Sequence, residues 1–385
     1  MKVGVLTFFR NANYGAMLQA RALCSFLESS GFDVVFLDTV VQTLHRRGLL
    51  GTCARSALGL MAGDRKRMRG TFRSFLRARA ESSIESYADS FPVSPPLRSE
   101  GALRAYAKGL DAVVVGSDQM WNPHWALPYL PIVFLGFAPP GCRRIAYAPS
   151  FGVSEWGNDR REDAASFLRQ FHAISVRETG GEGIVRALFP EASVQTVLDP
   201  TLLIGSAFWR KQLPEESTSN AGRYSFSYFL RWTRRLEAVQ WNDRLSALSA
   251  GEEVLGVSAP VRGRILRHLC SRNGVSGKID VSEWLVRIAN ARFVITNSFH
   301  GTVFSILFHR PFAVVLLDRS KAASDMNGRI YSLLDMLGLS DRMLPASAFD
   351  ALADVRSHPI DWDAVESRLD LERKRSAAFL LDALS

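Results

Sequence analysis

The sequence predicts an α/β protein made of two open parallel-sheet halves. Three observations carry that expectation. Short β-rich runs alternate with stretches of helical apolar spacing, as a parallel sheet covered on both faces requires. The alternation stops at a polar stretch near 211–222 (KQLPEESTSNAG) and then restarts. The length, 385 residues, exceeds the roughly 250–300 that one hydrophobic core usually serves.

In order along the chain, Lys2–Phe8 reads as a strand and Tyr14–Glu28 as a helix, through Met17, Leu18, Ala22 and Leu27. Gly31 ends that helix, and Asp33–Leu37 is the next strand. Further short apolar runs follow at Ala112–Val115, Arg144–Ala148, Ala173–Val176 and Val194–Leu198. After the polar stretch come a strand at Tyr224–Leu230, a helical run through Leu236, Val239, Trp241 and Leu245, and a strand at Glu253–Val257. Val281–Asn290 reads as a helix, Phe293–Thr296 and Pro311–Leu317 as strands, and Asp361–Leu384 as a long amphipathic terminal helix. The expected organisation is a first domain over 1–210 with a basic helical excursion at 41–100, a linker at 211–222, a second domain over 223–355 and a terminal segment at 356–385.

Ligands of open α/β sheets bind outside the carboxyl ends of the strands. Six polar turns fall there: Thr7–Ala16, Gly116–Asn122, Pro149–Gly152, Arg177–Glu178, Asp199–Thr201 and Asn297–Gly301. In the first, Asn13 could cap the helix, and Gly15 and Ala16 could offer backbone N–H groups to an anion. The stretch matches neither GxGxxG nor GxxxxGK[ST], so neither nucleotide-binding motif applies. In VVVGSDQMWN, Asp118 could orient a base or accept from sugar hydroxyls, or cap the segment that follows. Arg177 could hold a carboxylate or phosphate bidentately, or pair internally with Glu178 or Asp199.

His300 is the sharpest candidate. It stands at a strand end and a helix start beside Asn297, Ser298 and Thr302, and histidine is the usual acid–base group near neutral pH. His309, inside the apolar run Phe304–Phe312, is expected to be packed. The remaining histidines, His45, His124, His172, His268 and His358, have no comparable setting. No HExxH, nucleophile elbow or paired metal-ligand spacing occurs.

Hydrophobic residues make up 47% and charged residues 22%, ordinary for a globular protein. No signal peptide is read at the start, and no apolar run approaches the roughly 18 residues that span a bilayer. The four cysteines are far apart and suit reduced thiols. The expected location is cytoplasmic. The net charge of +9 is concentrated: residues 41–80 hold ten basic side chains against the single acid Asp64. That segment reads either as a solvated basic face or as a docking surface for an anionic membrane. No nucleic-acid module accompanies it, so nucleic acid is not expected as a partner.

The stretches LTFFRNANYGAMLQARAL, VVVGSDQMWN, RIAYAPSFG, SVRE, VLDPTLL and ITNSFHGTVFSILFHRPF, taken in this order, resemble the polysaccharide pyruvyl transferase family over residues 1 to about 340. The resemblance implies two Rossmann-like domains in a glycosyltransferase B-like arrangement, with the terminal helix crossing back to the first domain. It implies transfer of a pyruvyl group from phosphoenolpyruvate onto two hydroxyls of a saccharide. No metal or further cofactor is demanded, because arginine and backbone N–H groups can meet the donor's charge. His300 matches the family's catalytic histidine and Arg177 one of its donor arginines. Members often carry Arg-Leu-His where this chain has Ser298-Phe299-His300, as in the SFHG-type branch, so one donor arginine is missing. Arg329 is the expected substitute, from a nearby loop.

The donor-binding set implied is therefore Arg177, Asn13, Gly15, Ala16, Ser298, Gly301, Thr302 and Arg329. Asp118 joins His300 in catalysis and, with Gln119, Trp121 and Asn122, faces the acceptor. A lipid-linked saccharide would account for a basic docking surface, placing the enzyme at the cytoplasmic membrane face. The alternatives left open are a nucleotide-sugar-dependent glycosyltransferase of the same fold and a non-catalytic membrane-docking or partner-binding protein.

Overall fold

The computed structural model describes residues 1–10, 13–43, 86–214, 222, 224–230, 253–258, 279–316, 327–345 and 348–385. Residues 44–85 of the basic excursion fall outside the described residues, as do most of the polar interruption and the helical run at 236–245.

The first sheet has six parallel strands: β1 (Lys2–Leu6), β2 (Asp33–Phe36), β3 (Ala112–Val115), β4 (Arg143–Ala146), β5 (Ala173–Val176) and β6 (Val194–Thr196), in the order β2-β1-β3-β4-β5-β6. The second has five, also parallel: β7 (Tyr224–Phe229), β8 (Glu253–Ser258), β9 (Phe293–Thr296), β10 (Phe312–Leu316) and β11 (Met343–Pro345), in the order β11-β10-β9-β7-β8. The helices that matter for the site are α1 (Tyr14–Ser29), α2 (Glu100–Ala107), α3 (Arg161–Leu168), α4 (Thr179–Leu188), α5 (Pro200–Leu203), α6 (Val281–Ala289), α7 (Phe299–Leu307), α8 (Gly328–Leu337) and α9 (Trp362–Leu384). These are two Rossmann-like domains in the glycosyltransferase B-like arrangement.

The strands that the sequence marks are present, and some end earlier than their apolar runs. β1 stops at Leu6 because the next backbone groups are taken by side chains. Gln42 donates to the Thr7 carbonyl at 2.6 Å and Gln19 to the Phe8 carbonyl at 3.2 Å. β6 stops at Thr196, and the Leu198 N–H turns to Ser376 Oγ of α9 at 2.9 Å. β11 spans three residues, too few for a two-residue period to show in the sequence.

Side chains lock the two domains together. Tyr14, at the start of α1, stacks on Trp284 of α6 at 5.2 Å and 11°, and its hydroxyl donates to the Ile279 carbonyl at 2.9 Å. The terminal helix touches both domains. Arg368 donates to the Leu337 carbonyl of α8, while Arg373 donates to the Leu202 carbonyl of α5 at 3.0 Å. At its far end, Arg143 donates to the Ser385 carbonyl at 2.7 Å. Cys24 and Cys142 are free and buried, and burial pushes the Cys24 thiol up to about 12, which leaves it inert near neutral pH. Among the described residues no helix is long and apolar enough to cross a membrane.

In each sheet the chain runs outward from one strand and then returns to its other side, which opens a crevice at the carboxyl ends. The crevice lies between β1 and β3 in the first sheet and between β7 and β9 in the second. The turn after β3 carries Asp118, and the helix start after β9 carries His300.

Candidate active site

The turn after β3 is held rigidly. Gln19, inside α1, accepts the Ser117 N–H at 3.0 Å and donates to Thr7 Oγ1 at 2.9 Å. Asp118 has a left-handed backbone, φ 62°, a region that Asp enters more readily than most residues. Its carbonyl accepts from Met120 at 2.8 Å and from Ser150 at 2.7 Å, so the carboxylate is free to point inward.

Arg177 follows β5 with its side chain fully buried between two carboxylates. Nη1 is 2.9 Å from Asp199 Oδ2, and Nη2 is 3.3 Å from Asp118 Oδ1. The internal pairing with Asp199 is therefore realised, and the one with Glu178 is not. Burial alone would lower the Arg177 pKa, but Asp199, Asp118 and Glu178 raise it above its ordinary value. Asp199 is the hub of the cluster. Its Oδ1 accepts from the Thr201 N–H at 3.0 Å and the Thr201 hydroxyl at 2.7 Å, and Oδ2 accepts from Arg177 and from Ser117 Oγ at 3.0 Å. Burial alone would raise the Asp199 carboxyl. The adjacent His300 and Arg177, with the Thr201 hydrogen bond, instead hold it well below the usual carboxylate range.

The second domain brings His300 to this hub. His300 lies in the first turn of α7, with Nε2 3.6 Å from Asp199 Oδ2. It is buried and Nε2 has no hydrogen-bond partner. Gly15 makes the approach possible: a Cβ there would sit 1.9 Å from His300 Nδ1. Arg329 comes from the first turn of α8, not from a loop as expected, and Nη1 is 3.9 Å from Asp118 Oδ1. The ring of Phe299 lies 4.5 Å from Arg177 Cζ and 5.8 Å from Arg329 Cζ.

Four of the sequence candidates thus converge: Asp118, Arg177, His300 and Arg329, with Gly15 as the floor under the imidazole. Others turn to local structure. Asn13 caps α1 by accepting the Gly15 N–H at 3.0 Å, and Ser298 caps α7 by accepting the Gly301 N–H at 3.2 Å. The Thr302 N–H and hydroxyl both go to the Ser298 carbonyl at 3.0 Å. The N–H groups of Gly15, Gly301 and Thr302, expected to face the donor, are occupied by these helix starts. Gly301 serves packing, since a Cβ there would meet Thr296 Oγ1 at 2.6 Å. Ala16 is buried in the core.

Among the acceptor candidates, Trp121 is a core residue. It is fully buried and stacked on Phe134 at 4.8 Å, and its indole N–H donates to the Val133 carbonyl at 3.0 Å. Asn122 caps a short helical turn by accepting the His124 N–H at 3.0 Å. The Gln119 side chain lies beside Gly152, where a Cβ would meet its Nε2 at 2.5 Å. His309, expected to be packed, is partly exposed. It pairs with Glu366 at 2.8 Å and stacks on Trp362 at 4.9 Å, because its positive φ turns it out of the apolar run.

The site residues that sequence reasoning left out of its functional set are Asp199 and Phe299. The signal for Asp199 was its place in one of the six strand-end turns. Nothing in the sequence marked the ring of Phe299 as different from its apolar neighbours. Among the described residues no group of three His, Cys, Asp or Glu side chains is placed to hold a metal ion.

The model of the polysaccharide pyruvyl transferase family matches residues 13–319. The chain belongs to that family. All four converging residues except Arg329 fall inside the matched region. Among solved structures, the chain is similar to a UDP-N-acetylglucosamine 2-epimerase from Rickettsia bellii, at 8% identity and TM-score 0.56, covering 100% of this chain and 97% of that one. It is also similar to the UDP-GlcNAc 2-epimerase of Methanocaldococcus jannaschii in complex with UDP-GlcNAc and UDP, at 11% identity and TM-score 0.52, covering 96% and 99%. At such identities the likeness concerns the fold alone, and it agrees with the two-domain architecture. No curated protein sequence matches the chain.

Proposed function

We propose that this family member transfers a pyruvyl group from phosphoenolpyruvate onto two hydroxyls of a saccharide, forming a cyclic ketal in polysaccharide or glycoconjugate synthesis. The observation that carries the reading is the meeting of two guanidinium groups and one imidazole, from both domains, around Asp118 and Asp199. Two buried nitrogens there, Arg177 Nε and His300 Nε2, have no hydrogen-bond partner. Buried polar groups left unmade are costly and point to a ligand or water that completes them.

Phosphoenolpyruvate is a trianion near neutral pH, and guanidinium groups suit its carboxylate and phosphate. In this mechanism His300 delivers a proton to the vinyl C3, so that C2 gains oxocarbenium character. A sugar hydroxyl oxygen bonds to C2, the C2–O bond to phosphate breaks, and the neighbouring hydroxyl closes the ketal. One hydroxyl proton balances the proton given to C3, and the other leaves with the phosphate. Asp199 serves as the fixed negative charge that stands 3.6 Å from His300 Nε2 and orients the imidazole. Its own oxygens are already occupied by four donors, so it is not itself a proton carrier. Asp118, the one carboxylate of the pair with residual exposure, orients the acceptor hydroxyl. Arg329 supplies the second donor cation, the role that the Arg-Leu-His pattern gives to an arginine two residues before the histidine.

The test is calorimetric titration of the protein with phosphoenolpyruvate beside a panel of nucleotide sugars. Arg329→Gln is the informative variant, because Arg177→Ala would strand two buried carboxylates and confound folding with binding. The expected result is phosphoenolpyruvate binding that weakens roughly tenfold or more in Arg329→Gln, as loss of a charge-assisted hydrogen bond of about 1.5–3 kcal/mol implies. Binding of a nucleotide sugar with indifference to phosphoenolpyruvate would replace this reading with glycosyl transfer.

A further inference from the structure

Two guanidinium groups approach one carboxylate oxygen in this site. Arg177 Nη2 and Arg329 Nη1 lie 3.3 and 3.9 Å from Asp118 Oδ1, and both side chains are less than a tenth exposed. Like charges this close repel, and the repulsion is weakly screened where water is excluded. Asp118 offsets part of it, but a carboxylate occupies the same N–H groups that an anionic ligand would need. A neutral group with a negative face could hold both cations and leave their N–H groups available.

Phe299 is placed to do this. It is the first residue of α7, 4% exposed, and its ring lies within cation–π range of both arginines. Its position is fixed by the Ser298 cap behind it and by an edge contact at 5.2 Å with the neighbouring His300 ring. We infer that Phe299 is a positioning residue: its π face holds the guanidinium groups of Arg177 and Arg329 side by side around Asp118, so that one site presents two cations. An aliphatic side chain would fill the space without supplying the quadrupole. The ligand side of this inference rests on the proposed donor site, and the ring–cation coupling stands on the geometry alone.

The experiment is a double-mutant cycle of wild type, Phe299→Met, Arg329→Gln and the double variant, read by thermal unfolding midpoint and by phosphoenolpyruvate calorimetry. Phe299→Met is expected to weaken phosphoenolpyruvate binding roughly 2- to 30-fold, the range of a cation–π contact from exposed to desolvated. In the Arg329→Gln background the same change costs distinctly less, in both affinity and midpoint. Phe299→Tyr keeps the face and stays within about twofold of wild type. Equal costs of Phe299→Met in the two backgrounds would overturn the inference, as would a Phe299→Tyr variant no better than Phe299→Met. If Phe299→Met does not fold, Phe299→Leu carries the same cycle. A wild-type protein that does not bind phosphoenolpyruvate refutes the proposed function, and the midpoint cycle then decides the role of the ring.

Discussion

The two ends of helix α7 each carry a histidine beside a carboxylate, and the two sites are built differently. His309, just past the end of the helix, has a side chain 37% exposed, and Glu366 faces it at hydrogen-bonding distance, 2.8 Å. Glu366 has its other oxygen on Arg373 at 3.0 Å, and the imidazole stacks flat on Trp362. His300, in the first turn, is buried and stands 3.6 Å from Asp199, whose oxygens are already taken by Arg177, Ser117 and Thr201. One histidine is satisfied at a helix–helix seam. The other feels a fixed negative charge yet keeps an unbonded nitrogen. What separates a structural histidine from a candidate catalyst here is the remaining hydrogen-bonding capacity of the neighbouring carboxylate.

That contrast can be broken at three points. Replacing His300 with Ala should cost about 100- to 10,000-fold in turnover, the usual range for a general acid–base group. Phosphate release from phosphoenolpyruvate with a saccharide acceptor measures it, and retention of more than about a tenth of the rate would remove the role.

Next in size is Asp199→Asn, which leaves Arg177 short of a buried partner and should lower unfolding stability by about 3–5 kcal/mol. The pH dependence has a definite sign. The folded-state pKa of Asp199 is depressed, so its stabilisation is present above the unfolded carboxylate value of about 3.9. It is lost as pH falls toward the folded value. Denaturant curves of wild type and variant should therefore lie furthest apart above about pH 4 and converge in stronger acid. A gap that stays constant with pH would mean that ionisation of Asp199 is not what stabilises.

The smallest effect is expected from His309→Gln. A partly exposed pair is typically worth about 0.2–1 kcal/mol, and turnover should stay within about twofold. A loss comparable to that of His300→Ala would erase the distinction between the two ends of the helix.

Much of the fold was legible because its signals are local. Runs such as Ala112–Val115, Ala173–Val176 and Phe293–Thr296 have the length, β-branching and flanking turns of buried parallel strands, and the structure has strands at those residues. The strand β11 and helix α8 were not legible. The first is too short to show a period, and the second follows a segment with no clear start signal, which is why Arg329 read as a loop residue.

The site divides in the same way. The sequence by itself determined which turns could carry chemistry, because a polar group at the end of a buried strand must face either a cap or a ligand. It also singled out His300, Arg177 and Asp118 on that ground. Only the tertiary structure decided which polar groups were spent on caps, as Asn13 and Ser298 are, and which met across the domains. The physical reason is that hydrogen-bonding capacity is shared among residues far apart in the chain. Asp199, 101 residues from His300 and 22 from Arg177, becomes the hub only because the fold sets Arg177 of its own domain and His300 of the second beside it. The space for the imidazole likewise depends on a glycine 285 positions away, at Gly15, which no local pattern could reveal.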